Sequence, residues 1–437
     1  MSLTTLRRGR AWSFDLARHD IRSQLPAAIR EIMQNGLLHR TFEEALIPEF
    51  LFPMIASPRP WSQNIGDTGT FTRSGLLTPT TTPLSGSDPS PQTYSIEQYS
   101  VTMDQYGITL DTNMLQSRMT LASKYLEDVQ KLAISAGQSL NRIARDKMYA
   151  AYAGGRTWAT TAGASDTSII VQSVKGFEYV LVNGKPTPVS GANPLPIKIE
   201  GVANTVTGVN AGTSTLTLGT ARADVVGDAV VADNAPVSIR PSGTLDSAFD
   251  LGTSNVVTFK MFRAAVARLR KMNVPTFGGY YTAHIDPDTE TQLFDDADFK
   301  QALQGRVDSP IYRDLSIGRF GGIDWVRDNE TPTVAGGTGG AVTVHRPIVF
   351  GAESLLSAPF EGMGDLLRET DVSDVPSIQM VGPANGVQVA MITRPPMDRL
   401  QQILSSTWSW VGDFGVPSDS TTGDASLFKR AVVLEHA

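Results

Sequence analysis

Residues 120–155 read TLASKYLEDVQKLAISAGQSLNRIARDKMYAAYAGG, and this stretch decides the fold. Leu121, Tyr125, Val129, Leu132, Ala133, Ala136, Leu140, Ile143, Ala144, Met148 and Ala151 fall on one stripe of period 3.6, the signature of an amphipathic helix. Thr120 has the side chain of an N-cap, and Gly154-Gly155 is a stop signal. The pattern predicts a helix over 120–153, a rod about 50 Å long at 1.5 Å per residue. Gly137 inside it costs about 1 kcal/mol relative to Ala. The stripe has no sustained a/d heptad, which discounts a coiled coil.

Upstream of the helix the composition changes. From 57 to 91, Pro, Thr, Ser and Gly dominate and no helical period is present. Phe71-Thr72-Arg73 and residues 96–103 have strand composition on either side of a Pro-rich tip at 78–91. This is a long hairpin or loop with little to support it from within, and loops of such length are usually functional or disordered. Before it, residues 1–56 contain Ile21, Leu25, Ile29 and Ile32-Met33 at helical spacing, with Asn35-Gly36 as the expected stop. That helix either packs on its own domain or belongs to an arm that packs on neighbours.

Downstream, residues 165–248 are rich in Val, Thr, Gly and Asp and carry no aromatic between Tyr179 and Phe249. Short β-rich pieces at 197–202, 214–218 and 229–231 predict a β module, barrel or sandwich, inserted between two helices. Thr258 is the expected cap of a helix carrying Phe259, Phe262, Val266, Leu269 and Met272, closed by Asn273 and Pro275. A strand at 280–285, a turn at Asp286-Pro287 and a short acidic helix follow. The Gly-rich stretch 336–340 separates these from strands expected at 387–392, 403–411 and 428–434. Helices and strands interleave without regular βαβ alternation, so the fold class is α+β.

Composition excludes several chemistries. The chain has 437 residues and no cysteine, which removes disulfides, thiolate metal sites and cysteine nucleophiles. Its net charge of −7 argues against binding nucleic acid through basic patches. No apolar run approaches the roughly 18 residues of a membrane span. Arg7 and Arg8 are followed by no apolar segment of an export signal, so a cytoplasmic origin is expected. Gly184-Lys185 has Tyr179 where a phosphate-binding loop needs its first glycine, and there is no Gly-x-Ser-x-Gly elbow. His19, His39, His284, His345 and His436 are scattered singly. His284 precedes Asp286-Pro287 at a strand end and is the most functional in position, though a lone histidine is more often structural. The acids Asp286, Asp288, Glu290, Asp295, Asp296 and Asp298 would make a calcium loop only with Gly at Thr291 and Glu at Ala297. They are read instead as a solvated helix start favoured by the dipole, and Glu43-Glu44 as a solvated pair. Trp408 and Trp410 share one strand face, a packing surface rather than a sugar platform. The residues supply no catalytic, cofactor-binding or metal site.

The order of parts resembles the tailed-bacteriophage major capsid proteins of the Hong Kong 97 type fold. Four stretches carry the resemblance: residues 96–107 (IEQYSVTMDQYG), residues 281–287 (YTAHIDP) with the following helix at 293–299, residues 317–323 (IGRFGGI) with Asn329-Glu330-Thr331-Pro332, and the ending Arg430-Ala431-Val432-Val433-Leu434-Glu435. The resemblance implies an N-terminal arm at 1–56, an extended loop at 57–115 and a spine helix of a peripheral domain at 116–164. An inserted β domain would occupy 165–248 and an axial domain 249–385, with C-terminal strands at 386–437 completing the peripheral sheet. The function implied is that of a non-enzymatic, cofactor-free shell subunit, assembled in the host cytoplasm as a procapsid and located in the virion. Its implied partners are copies of itself in pentamers and hexamers, a separate scaffolding protein because the arm is too short to include one, and a portal protein. A decoration protein is a further partner of some relatives, and the packaged double-stranded DNA would be held without sequence-specific contacts. Another virion component, of the tail or a decoration layer, is the alternative. A hydrolase using the acids near His284 is a third reading.

Overall fold

The computed structural model describes residues 27–437 apart from 62–65, 82, 84–85, 87, 114, 116, 118–123, 305–317, 361, 363–376, 384–385, 395–398, 401, 421–425 and 427. Five helices of eight residues or more lie among the described residues: α1 (Ala27–Leu46), α2 (Lys124–Tyr152), α3 (Phe259–Lys271), α4 (Pro287–Asp295) and α5 (Ala297–Gln304). Three six-stranded sheets complete the frame, with antiparallel pairing predominating, so the architecture is α+β.

The expected spine helix is α2. The stripe read from sequence is its buried face: Val129, Leu132, Ala133, Ala136, Leu140, Ala144 and Met148 are closed to solvent. Thr120 and Leu121 lie outside the described residues. The helix lies on a sheet in which Ile403–Gly415 pairs with both Asp104–Asn113 and Val389–Arg394, and the latter pairs with Ser377–Val381. Trp408, Trp410, Phe414, Val389 and Met391 present the face that meets α2. The two tryptophans are thus packing residues, as their period-2 spacing implies.

Gly137 has a packing reason. A β-carbon there would lie 2.5 Å from Glu49 Cβ and 3.0 Å from the Leu46 carbonyl oxygen. The chain leaving α1 crosses the spine at this point. Four residues on, the buried Asn141 offers its Oδ1 to the amides of Leu51 and Phe52, at 3.1 and 2.9 Å, and so caps the single turn Phe52–Ile55. Phe42, Leu46, Phe50 and Phe52 are buried in the same core as α2. Two expectations are corrected here. Asn35-Gly36 does not stop the helix, which runs on to Leu46 because its second half is seated on the spine. Residues 42–56 are therefore part of the body and not of a free arm. Ile21 and Leu25 lie outside the described residues.

The second sheet runs in the order Ser238–Ile239, Ala431–Leu434, Ile348–Phe350, Tyr281–Ile285, Ile323–Arg327, Arg319–Phe320. Its second and third strands are buried on both faces. Ile348, Phe350, Ala431 and Val433 point into the spine core; Val349, Val432 and Leu434 point into a second core built on α3. The final strand therefore belongs here, and not to the peripheral sheet expected to take 386–437. Thr258 stands at the N-cap position of α3 but supplies no side-chain bond; the carboxylate of Asp296 accepts the Phe259 amide at 2.7 Å instead. Asn273, at φ 52°, closes the helix as expected. The stretch 336–340 is no separator: it is the bend between paired strands Thr333–Gly336 and Val342–His345.

The third sheet is the insert, ordered Arg156–Trp158, Ala229–Ala232, Leu195–Ile199, Val202–Asn210, Thr215–Asp224, Gly163–Ile170. It has its own core, including Phe177, Ile197, Ile199, Val206, Leu216 and Val230. The module starts at Arg156, before the expected 165. The single strand expected at 197–202 is two strands broken at Glu200-Gly201, whose φ values of 48° and 74° make a tight hairpin turn.

Candidate assembly surface

The segment expected to be an extended loop is a projecting hairpin. Thr68–Ser74 pairs with Ile96–Thr102 in full register, from Thr68 opposite Thr102 to Ser74 opposite Ile96. Its base is secured to the body. Tyr99 and Val101 are buried against Leu356 and Ala358, with Phe71 stacked on Tyr99 at 5.7 Å and edge-on to Trp61 at 6.0 Å. Arg73 donates to the Glu353 carbonyl oxygen at 2.9 Å and pairs with its carboxylate at 3.3 Å. Glu97 is buried, and its carboxylate accepts the Ser420 amide at 3.0 Å. Burial pushes the Glu97 carboxyl up, against the lowering effect of the Ser420 hydrogen bonds.

Beyond Gly75, whose amide meets the Ser95 carbonyl oxygen at 2.8 Å, the hairpin opens into the Pro-rich tip. Here apolar side chains face solvent: Leu76 is 85% exposed, Leu77 54% and Tyr94 51%. Base and tip thus differ sharply. One is fixed to the body; the other carries apolar groups for which the described residues provide no cover. The expected loop ended at 115, but Asp104–Asn113 lies in the sheet under α2, so the projecting part is 68–102.

The histidines and acids are brought together in a way their spacing did not indicate. His345 Nδ1 lies 2.7 Å from Asp286, its Nε2 lies 3.8 Å from Asp288, and its ring stacks on that of His436. Thr289 Oγ1 lies 2.7 Å from His436 Nε2 and also donates to Asp286, the N-cap of α4. The acids are therefore not all solvated: Asp286 is buried as a cap, and Asp296 caps α3. Asp286, Asp288 and His345 are close enough to be considered as metal ligands. Opposite ring nitrogens of His345 face the two carboxylates, Nδ1 toward Asp286 and Nε2 toward Asp288. Thr289 and His436 are fully buried, whereas Asp288 at the edge of the group is 75% exposed. His284 lies among the rings of Phe52 and Phe350, and burial pushes it down to about 3; burial likewise lowers His436 to about 4. Both are neutral core side chains.

No helix among the described residues is long and apolar enough to cross a membrane. No family model matches the chain, and no curated protein matches it. Among solved structures, the chain is similar to the capsid of Ralstonia phage GP4, at 12% identity and a TM-score of 0.49 over 87% of both chains. It is also similar to the capsid of cyanophage P-SCSP1u, at 13% identity and a TM-score of 0.46 over 89% of this chain and 88% of that one. A third is the capsid of cyanophage Pam1, at 14% identity and a TM-score of 0.46 over 86% of both.

Proposed function

We propose that this chain is the major capsid protein of a tailed bacteriophage, a subunit that assembles into the icosahedral shell around double-stranded DNA. The observation that carries the reading is the hairpin with a buried base and an apolar, exposed tip. Full burial of a Leu or Tyr-sized apolar group is worth about 1.5–3 kcal/mol. Nothing among the described residues covers Leu76, Leu77 and Tyr94, so another molecule is where they would gain that. A contact between a projecting tip and a different patch of the next copy is heterologous, and such contacts close into rings when the rotation allows. Pentamers and hexamers are the rings a shell requires.

The order of parts supports the same reading. In Hong Kong 97 terms the hairpin is the extended loop, α2 with its sheet is the peripheral domain, and the α3 sheet is the axial domain. Residues 156–235 are then an insertion domain. The net charge of −7 suits a container filled by a motor, with DNA held without tight wall contacts. A separate scaffolding protein, a portal and a decoration protein are the partners this role implies. Assembly in the host cytoplasm and residence in the virion follow from the same role.

The test is to replace 76–94 by a short Gly-Ser turn and to examine the product, coexpressed with its scaffold, by negative-stain microscopy. A soluble subunit that fails to close shells is the expected result. Normal shells would overturn the reading, and tubes from the unaltered chain would favour a tail component.

A further inference from the structure

We propose that the small hairpin of the insert, Tyr179–Val182 with Lys185–Pro188, is an internal latch that sets the direction of the projecting hairpin before any neighbour is met. The inference rests on the capsid reading for its purpose, but not for its geometry.

The contact is made by backbone. The Gln98 amide donates to the Gly184 carbonyl oxygen at 2.6 Å, and the Gln98 carbonyl oxygen accepts from Ser418 Oγ at 2.8 Å. Both groups belong to the strand Ile96–Thr102 on the side away from its partner strand. An open strand edge is a template for unwanted pairing, and at Gln98 this edge is closed by the insert on one group and by the C-terminal region on the other. The approach is close enough to dictate the residue. Asn183 and Gly184, at φ 51° and 77°, form the two-residue turn of the hairpin. A β-carbon on Gly184 would collide with the Ile96 carbonyl oxygen and come within 3.5 Å of Glu97 Cα.

The latch has a firm mount. Val180 and Val189, at the open end of the small hairpin, pack on the insert's own core. The Val189 amide bonds the Glu178 carbonyl oxygen at 3.0 Å. The tip is therefore carried by a unit with its own hydrophobic interior, and it grips the strand just where the projecting hairpin leaves the body. Inward of this point lie the buried Tyr99 and Val101; outward, Ile96 is half exposed. Fixing the direction of a loop in the free subunit reduces the ordering cost at association. This gives the insert a role inside its own subunit.

The test compares two substitutions in the insert. Gly201 has φ 74° and open space around the position a β-carbon would take, whereas Gly184, at φ 77°, has nearly the same backbone conformation and meets Ile96. Gly184→Ala and Gly201→Ala thus carry a similar conformational penalty, and only the first disturbs the latch. Hydrogen exchange of the unassembled subunit should show amides 96–98 exchanging at least tenfold faster in Gly184→Ala and unchanged in Gly201→Ala, at similar melting temperatures. Wild-type exchange at 96–98 in Gly184→Ala would overturn the latch, whatever the protein assembles into. With scaffold present, Gly184→Ala should close shells several-fold more slowly than Gly201→Ala. Equal rates despite faster exchange would show that the direction of the loop is not set in the free subunit. If neither variant nor the wild type forms shells, the capsid reading fails and the exchange result still decides the latch.

Discussion

Glu435→Gln removes one charge from a deeply buried ionic group and leaves its shape unchanged. Glu435 sits between two arginines: Arg240 at 2.6 Å and Arg346 at 2.9 Å. Glu435 and Arg240 are 5% and 7% exposed. Arg240 also donates to the carbonyl oxygens of Leu245 and Asp246, at 3.2 and 3.0 Å, so it is not free to swing into water when the carboxylate is lost. Breaking a buried pair from one side costs about 3–5 kcal/mol, because the surviving charge is stranded. The Gln amide keeps one acceptor oxygen, which places the expected loss near the low end, about 3 kcal/mol. Burial alone would raise the Glu435 carboxyl; the attraction of Arg346 and Arg240 overrides it and holds the group below the usual carboxylate value. A carboxyl depressed in the folded state contributes stability that is present above its unfolded pKa, about 4.3, and lost as pH falls through the folded one. The gap between wild type and variant should therefore be full at pH 7 and shrink below about pH 4.3. His284 and His436, lowered to about 3 and 4, also weaken the fold as pH drops below about 6.5, but equally in both proteins, so they cancel in the difference. The assay is denaturant unfolding of the unassembled subunit at pH 7 and pH 3.5. A difference under about 1 kcal/mol at pH 7, or one that persists unchanged on acidification, refutes the reasoning.

Two further outcomes follow from the chain's composition and modularity. Some shells of the Hong Kong 97 type are locked by a loop lysine that attacks a neighbour's asparagine; here 57–114 has Arg59 and Arg73 but no lysine, and the chain has no cysteine, while a guanidinium stays protonated and is no nucleophile. Particles boiled in detergent should give one band near 47.0 kDa, and a ladder of pentamer and hexamer sizes would refute this. A fragment spanning 155–236, which contains all six strands of the insert sheet and its core, should give a β-type circular dichroism spectrum with a cooperative melt, and a helical or unfolded fragment would contradict its independence.

What the sequence disclosed depended on whether a residue's surroundings were local. The spine was legible because a helix on one sheet buries one face, and that face repeats every 3.6 residues in the chain itself. The hairpin was legible for the opposite reason: a Pro- and Thr-rich tip has no pattern that could bury it. The turn at Glu200-Gly201 was missed because a glutamate at positive φ gives no turn signal. The grouping of Asp286, Thr289, His345 and His436 was missed because two strands and the chain end bring together distant positions, with Thr289 and His436 separated by 147 residues. No local pattern encodes such a meeting.

The domain boundary at 385/386 failed for a more general reason. Ala431–Leu434 and Ile348–Phe350 are apolar at every position, so their sequence has no period from which to read a facing. In the structure the alternation is real, but both sides are filled: odd residues of 431–434 go to the spine core and even residues to the α3 core. A strand pair buried on both faces is a shared wall and belongs to neither domain alone. The α2 core and the α3 core therefore have no boundary at this wall that a linker composition could mark. Cutting the chain there would open both cores at once, which is why the last residues, buried up to His436, cannot be an appendage of either.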